Sequence, residues 1–125
     1  VACAAALAVL NVIDKENLLQ RSNEIGALFD KQLMKLQGQY PDLILEVRQQ
    51  GAMVAIELVC NGDPEQANTD LTQKIIANSA KYGLVLLACG FYGNVIRFLP
   101  PLTASNEIIE EGLAKFTELF SELVK

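Results

Sequence analysis

Apolar residues recur first with a helical period, then in short dense runs, and finally with a helical period again. Residues 2–13 are almost wholly Ala, Val, Leu and Ile, and alanine is the strongest helix former, so a helix is expected there. Asp14 stands where an N-cap opens a second helix running to about Leu36, with Leu18, Ile25, Phe29, Leu33 and Leu36 on one stripe. Gly38 followed by Tyr40-Pro41 supplies the glycine-then-proline order that ends a helix.

The period then shortens. Ile44–Arg48 and Ala52–Val59 read as two strands, and Asn61-Gly62-Asp63-Pro64 as a turn. A helix from Asn68 or Thr69 to Tyr82 is closed by Gly83. Leu84–Ala88 and Asn94–Leu99 are two further strands joined by the Cys89–Gly93 loop, and Pro100-Pro101 stops the second. Thr103 or Ser105 caps a last helix carrying Ile109, Leu113, Phe116, Phe120 and Leu123 on one face. The order α-α-β-β-α-β-β-α predicts an α+β fold, a small, mainly antiparallel sheet of about four strands with helices packed on one side. Paired strands and the absence of a GxGxxG after one argue against a doubly wound sheet.

A chain of 125 residues with 51% hydrophobic content fits a single domain with one core. Its net charge of −5, without any cluster of cations, argues against nucleic acid or an anionic membrane as partner. Cys3, Cys60 and Cys89 are widely spaced and form no CxxC pair, which points to reduced thiols and a cytoplasmic setting rather than disulfides or structural zinc. With no histidine, Ser-His and Cys-His catalysis and most zinc sites are excluded within these residues, and no metal site is expected. The Val1–Ile13 stretch is too short to cross a bilayer, which takes about 20 apolar residues. It is expected to be the end of an interdomain helix that packs on an upstream domain.

One charge interrupts the most apolar run. Arg97 lies between Ile96 and Phe98, and a guanidinium keeps its charge, so burial there demands an anion or dipole. Two readings stand. Arg97 either snorkels to solvent or pairs with a carboxylate of the chain such as Glu57, or its rigid fork of donors receives a substrate carboxylate bidentately. For the second reading, Gly90 and Gly93 permit close backbone approach, and Tyr92 and Asn94 supply polar atoms nearby. Other candidates are weaker. Gly90–Gly93 lacks the lysine and following helix of a phosphate loop. Cys89 has no histidine to activate it. Glu57 reads as solvent-facing or arginine-paired, Arg48 as a support for the sheet edge or a neighbouring chain, and all seven lysines as solvated.

Ala2–Leu10 followed by Glu16-Asn17-Leu18-Leu19, Val47-Arg48 with Gly51–Leu58, and Gly83-Leu84, Cys89-Gly90, Tyr92–Arg97 and Pro101-Leu102-Thr103 together resemble the C-terminal domain of class III pyridoxal-phosphate-dependent aminotransferases. The last cluster is most similar to the 4-aminobutyrate branch. The resemblance implies that residues 1–125 are a single C-terminal small domain, inactive alone and containing no catalytic residue. The lysine that binds pyridoxal 5'-phosphate, the pyridinium-pairing aspartate and most phosphate contacts would lie in an upstream large domain, with no cofactor bound to these residues alone. It assigns substrate α-carboxylate binding to Arg97 and implies amino acid and oxo acid substrates and a homodimeric enzyme. A related aminotransferase of the 5-aminovalerate or ornithine type, or a non-catalytic module binding small carboxylates, are the competing readings. One departure stands out: the family usually has glycine after the Val-Arg pair, and Gln49 would strain the turn if that position required a positive φ. For a carboxylate site, an open face is expected beside Arg97.

Overall fold

The computed structural model describes residues Val1–Lys125. Its first helix, α1 (Ala2–Lys15), packs along α2 (Leu18–Gln39). The break between them is Asn17, held in the left-handed region at φ 51°, a conformation that asparagine tolerates better than most residues. Asp14 therefore lies inside α1 and does not cap α2. Gly38 likewise lies inside α2; the helix ends at Tyr40, whose N–H donates to the carbonyls of Leu36 and Gln37 before Pro41. The expected stripe holds from its second member on, with Ile25, Phe29, Leu33 and Leu36 all buried.

Strands β1 (Ile44–Gln50) and β2 (Met53–Cys60) form a hairpin joined by Gly51-Ala52, with Gln50 opposite Met53. Gly51 takes the positive φ (56°). Gln49 is an ordinary strand residue opposite Val54, and no positive φ falls on it, so the glycine-to-glutamine departure carries no backbone strain. Residues expected to form only a turn also supply a short strand, β3 (Asp63–Ala67), on the end of β2. Its composition hides it, and Pro64 is tolerated because the strand is short and pairs on one side.

Helix α3 (Thr69–Ser79) opens with the Asn68 side chain accepting from the Leu71 N–H and runs into a 3₁₀ turn at Ala80–Tyr82. Gly83 then reverses the chain at φ 72°. The next strand, β4, spans only Leu87–Cys89, so Leu84 and Leu86 approach the core without joining the ladder, with Val85 exposed between them. Strand β5 (Val95–Phe98) and helix α4 (Asn106–Leu123) complete the chain. Of the two expected caps, Ser105 is the one used: its hydroxyl accepts from the Ile108 N–H.

The sheet runs β1-β2-β5-β4, antiparallel throughout, with β3 attached to β2; it has five strands rather than four. The fold is α+β. Alternation along the strands sends Val54, Ile56 and Leu58 of β2 and Ile96 and Phe98 of β5 into one core with Ile25, Phe29 and Leu33 of α2 and Phe116 and Phe120 of α4. Phe98 is the hinge of this packing, with ring centroids 5.4 Å from Phe29 and 5.0 Å from Phe116. No helix is long and apolar enough to cross a membrane.

Candidate functional site

The sheet's second face is not covered by these helices. Because side chains alternate, the residues between the core positions point to it, and the register arranges them in rows. Arg48 of β1, Ala55 of β2, Arg97 of β5 and Leu87 of β4 lie in one row. The next row is Glu46, Glu57, Val95 and Cys89. Two arginines thus flank one alanine, with Glu57 a single pleat away from both.

Their environments differ. Arg48 donates from one terminal nitrogen to Glu57 Oε2 at 2.5 Å and to Glu46 Oε2 at 2.7 Å. The bond to Glu57 first, and that to Glu46 second, raise the Arg48 pKa above its ordinary value. Arg97 is exposed and takes part in none of the ion pairs of the chain. The expectation of a charge sunk in an apolar strand is therefore corrected: Ile96 and Phe98 are buried on the core face, while Arg97 projects from the other one. Glu57 is the partner of Arg48, not of Arg97. The face beside Arg97 is open, and its backbone is held in β5 between the buried residues Ile96 and Phe98.

The loop before β5 is rigidly seated. Gly90 has φ 84°, and a Cβ there would come 2.9 Å from Val95 Cγ2, so both conformation and space require glycine. Asn94 is buried, and its Nδ2 donates to the Leu58 carbonyl at 2.9 Å. The Thr69 hydroxyl donates to the Tyr92 carbonyl at 2.6 Å, tying the loop to α3. Beyond β5, Arg21 of α2 donates to the carbonyl of Ala104 at 2.6 Å and to Asn106 Oδ1 at 2.7 Å. Asn94 thus anchors the loop and does not present its amide beside Arg97. Arg21 and Thr69 escaped the sequence reading because their partners are distant in the chain and no local motif marks them.

A cavity of about 310 Å³ lies elsewhere, between α4 and the β4–β5 end of the sheet. Arg97 reaches its edge, but the walls are mostly apolar, including Leu86, Phe98, Leu113 and Phe116. It offers packing space rather than a second polar group for a carboxylate.

A family model described as aminotransferase class-III matches residues 1–120. The chain belongs to the class III aminotransferases. The 5-aminovalerate aminotransferase DavT of Pseudomonas aeruginosa is 46% identical over 98% of the chain and 29% of its own length. The 4-aminobutyrate aminotransferase GabT of Escherichia coli is 43% identical over 98% of the chain and 28% of its own length. A solved Bacillus anthracis aminotransferase superposes with a TM-score of 0.85 at 29% identity, covering 97% of this chain and 28% of that one. The chain therefore spans little more than a quarter of the length of these relatives.

Class III aminotransferases depend on pyridoxal phosphate, whose aldehyde needs a lysine. The lysines here sit on α1, α2, α3, α4, the 3₁₀ turn or the C-terminus, and none stands on the open sheet face with Arg97. On that face the chain presents the exposed Arg97 guanidinium, which makes no ion pair with another of its 125 residues.

Proposed function

We propose that residues 1–125 form the C-terminal small domain of a cytoplasmic, homodimeric 4-aminobutyrate–2-oxoglutarate aminotransferase, and that Arg97 receives the substrate carboxylate. The observation that carries this reading is the open, ion-pair-free guanidinium of Arg97 on a rigid strand. Its planar fork matches a carboxylate bidentately and fixes its orientation. Anchored there, glutamate or 2-oxoglutarate has its reacting carbon placed relative to an upstream domain, where the cofactor supplies the electron sink for amino transfer. An ω-amino acid presents its amine at the other end, so its carboxylate lies farther from the reacting carbon. Helix α1, apolar and exposed at Leu7, Val9 and Leu10, is the interdomain helix and packs on that upstream domain.

The 46% identity to a 5-aminovalerate aminotransferase favours a second reading, in which the donor is one methylene longer. Both readings share the 2-oxoglutarate half-reaction and the role of Arg97. Class III membership argues against a stand-alone carboxylate-binding module.

The test is Arg97→Lys in the full-length enzyme, which keeps the charge and loses the fork. Hydrogen bonds to charged groups are worth about 1.5–3 kcal/mol, so kcat/KM for glutamate and 2-oxoglutarate should fall about 10- to 100-fold with an unchanged melting temperature. Unaltered kinetics for both substrates would reject Arg97 as the anchor. A panel of ω-amino donors separates the two readings of specificity.

A further inference from the structure

The sheet has β1 at one edge and β4 at the other, with β3 on the end of β2. Strand β1 carries Glu46, Arg48, Gln49 and Gln50, and β3 carries Asp63, Pro64 and Glu65. Charges and prolines of this kind keep an exposed strand from pairing further. At β4 no such guard exists. From Leu84 to Cys89 the chain reads Leu-Val-Leu-Leu-Ala-Cys, with no charge and no proline, and β4 pairs on one side only, with β5. Val85 is 95% exposed and Leu87 56%. Beside them, where residues 84–86 leave the ladder, opens the apolar cavity of about 310 Å³, and Leu99 and Ile108 of its lining are exposed as well. Unpaired backbone and unpartnered apolar surface therefore coincide at one edge.

We propose that an extended, mainly apolar segment of the same polypeptide, outside residues 1–125, adds a strand to the outer side of β4 and covers Val85, Leu87 and the neighbouring cavity. This rests on the reading of these residues as one domain of a longer aminotransferase. An added strand supplies partners for the outward N–H and C=O groups of β4, and its alternating side chains cover the apolar ones. The cavity has Arg97 as its one charged lining residue, so the side chains that enter it are aliphatic or aromatic. The choice of occupant follows from size. The β4 ladder is three residues long, so two β4 edges from separate copies would join few groups and bury little of the roughly 1,200 Å² that a specific interface takes. A segment tethered in the same chain needs no such area, because its effective concentration is of about millimolar order. These residues span little more than a quarter of the relatives' length, so most of the polypeptide remains to supply the strand.

The test uses the full-length holoenzyme and two measurements on the same edge. Hydrogen exchange followed by mass spectrometry reports the amides of residues 84–89 without any substitution. With a strand on the outer side, all of them should exchange at least about 100-fold more slowly than in an unstructured chain. A bare edge leaves about half of them, those turned away from β5, exchanging within seconds. Photo-crosslinking from p-benzoylphenylalanine in place of Val85, followed by peptide mapping, identifies the neighbour. The expected product has the mass of one polypeptide and joins position 85 to an apolar segment outside residues 1–125. Leu99, also exposed beside the cavity, takes the photoreactive group where position 85 does not tolerate it. Fast exchange along the edge, a product with the mass of two polypeptides, or a link only to another of residues 1–125 overturns the proposal. The mass of the mature enzyme separates the two readings: a chain no longer than these residues fells the domain reading itself, whereas a longer enzyme with a bare edge overturns only the added strand.

Discussion

Asn94 and Leu58 hold each other by a reciprocal pair of hydrogen bonds. The Asn94 amide donates to the Leu58 carbonyl at 2.9 Å, and the Leu58 N–H donates to the Asn94 carbonyl at 2.8 Å. The pair joins the end of the glycine loop to β2, three residues before Arg97, and fixes where β5 begins. Asn94→Ala removes one bond and should cost about 1 kcal/mol, since the Leu58 carbonyl keeps a second donor in the Asn68 N–H. Asn94→Asp should cost more, because it sets a buried carboxylate against a carbonyl oxygen. Urea unfolding of both variants gives the order; equal stabilities would show that the amide donor is immaterial.

Gly90→Ala should destabilise the loop beyond the conformational cost of the substitution alone. The left-handed φ of 84° disfavours a side chain, and the added methyl collides with Val95. The combined cost is on the order of 1–3 kcal/mol. Trimming the collision partner in Gly90→Ala/Val95→Ala should leave a deficit smaller than the sum of the two single variants. Strict additivity in thermal unfolding would refute the collision.

The N-terminus of α4 gives a pH dependence with a definite sign. The Glu107 carboxyl is held below its ordinary pKa, chiefly by hydrogen bonding with the Ser105 side chain, then by its own backbone N–H, with a lesser contribution from the Arg21 charge. The unfolded chain therefore binds this proton more readily than the folded one. The stabilisation is complete above the unfolded carboxyl pKa and is lost as pH falls through the lower, folded value. In Ser105→Ala the Glu107 midpoint, followed by carboxyl carbon resonances, should move up toward the ordinary value. The same substitution removes the helix cap, a loss of about 1 kcal/mol at neutral pH. A Glu107 midpoint unmoved by Ser105→Ala would remove the hydroxyl as its cause.

Periodicity made the long elements legible. The spacing of Ile109, Leu113, Phe116 and Phe120 identifies the buried face of α4, and all four side chains are in the core. Features governed by backbone conformation or by distant partners were not readable in this way. The break at Asn17 is a single left-handed residue between two segments that both favour helix. Strand β3 consists of Asp-Pro-Glu-Gln-Ala, without a β-branched residue to mark it. At the candidate site, the chain order identifies Arg97 as unusual, but only strand alternation settles that it faces outward. The pairing of Arg48 with Glu57 needs the register, which the two-residue Gly51-Ala52 connection sets. The grip of Arg21 on residues 104 and 106 spans more than eighty residues of chain and has no local signature.

Helix α1 has no buried residue, and none of the nineteen side chains of the core cluster comes from it. It is thus a separate unit of local stability. Its backbone bonds can open without exposing any of the apolar interior, so its amides should exchange with solvent at rates close to those of a short free helix, while those of β2 and α4 wait for global unfolding. Whatever surface covers α1 would slow that exchange selectively, which makes the helix a built-in reporter of its own docking.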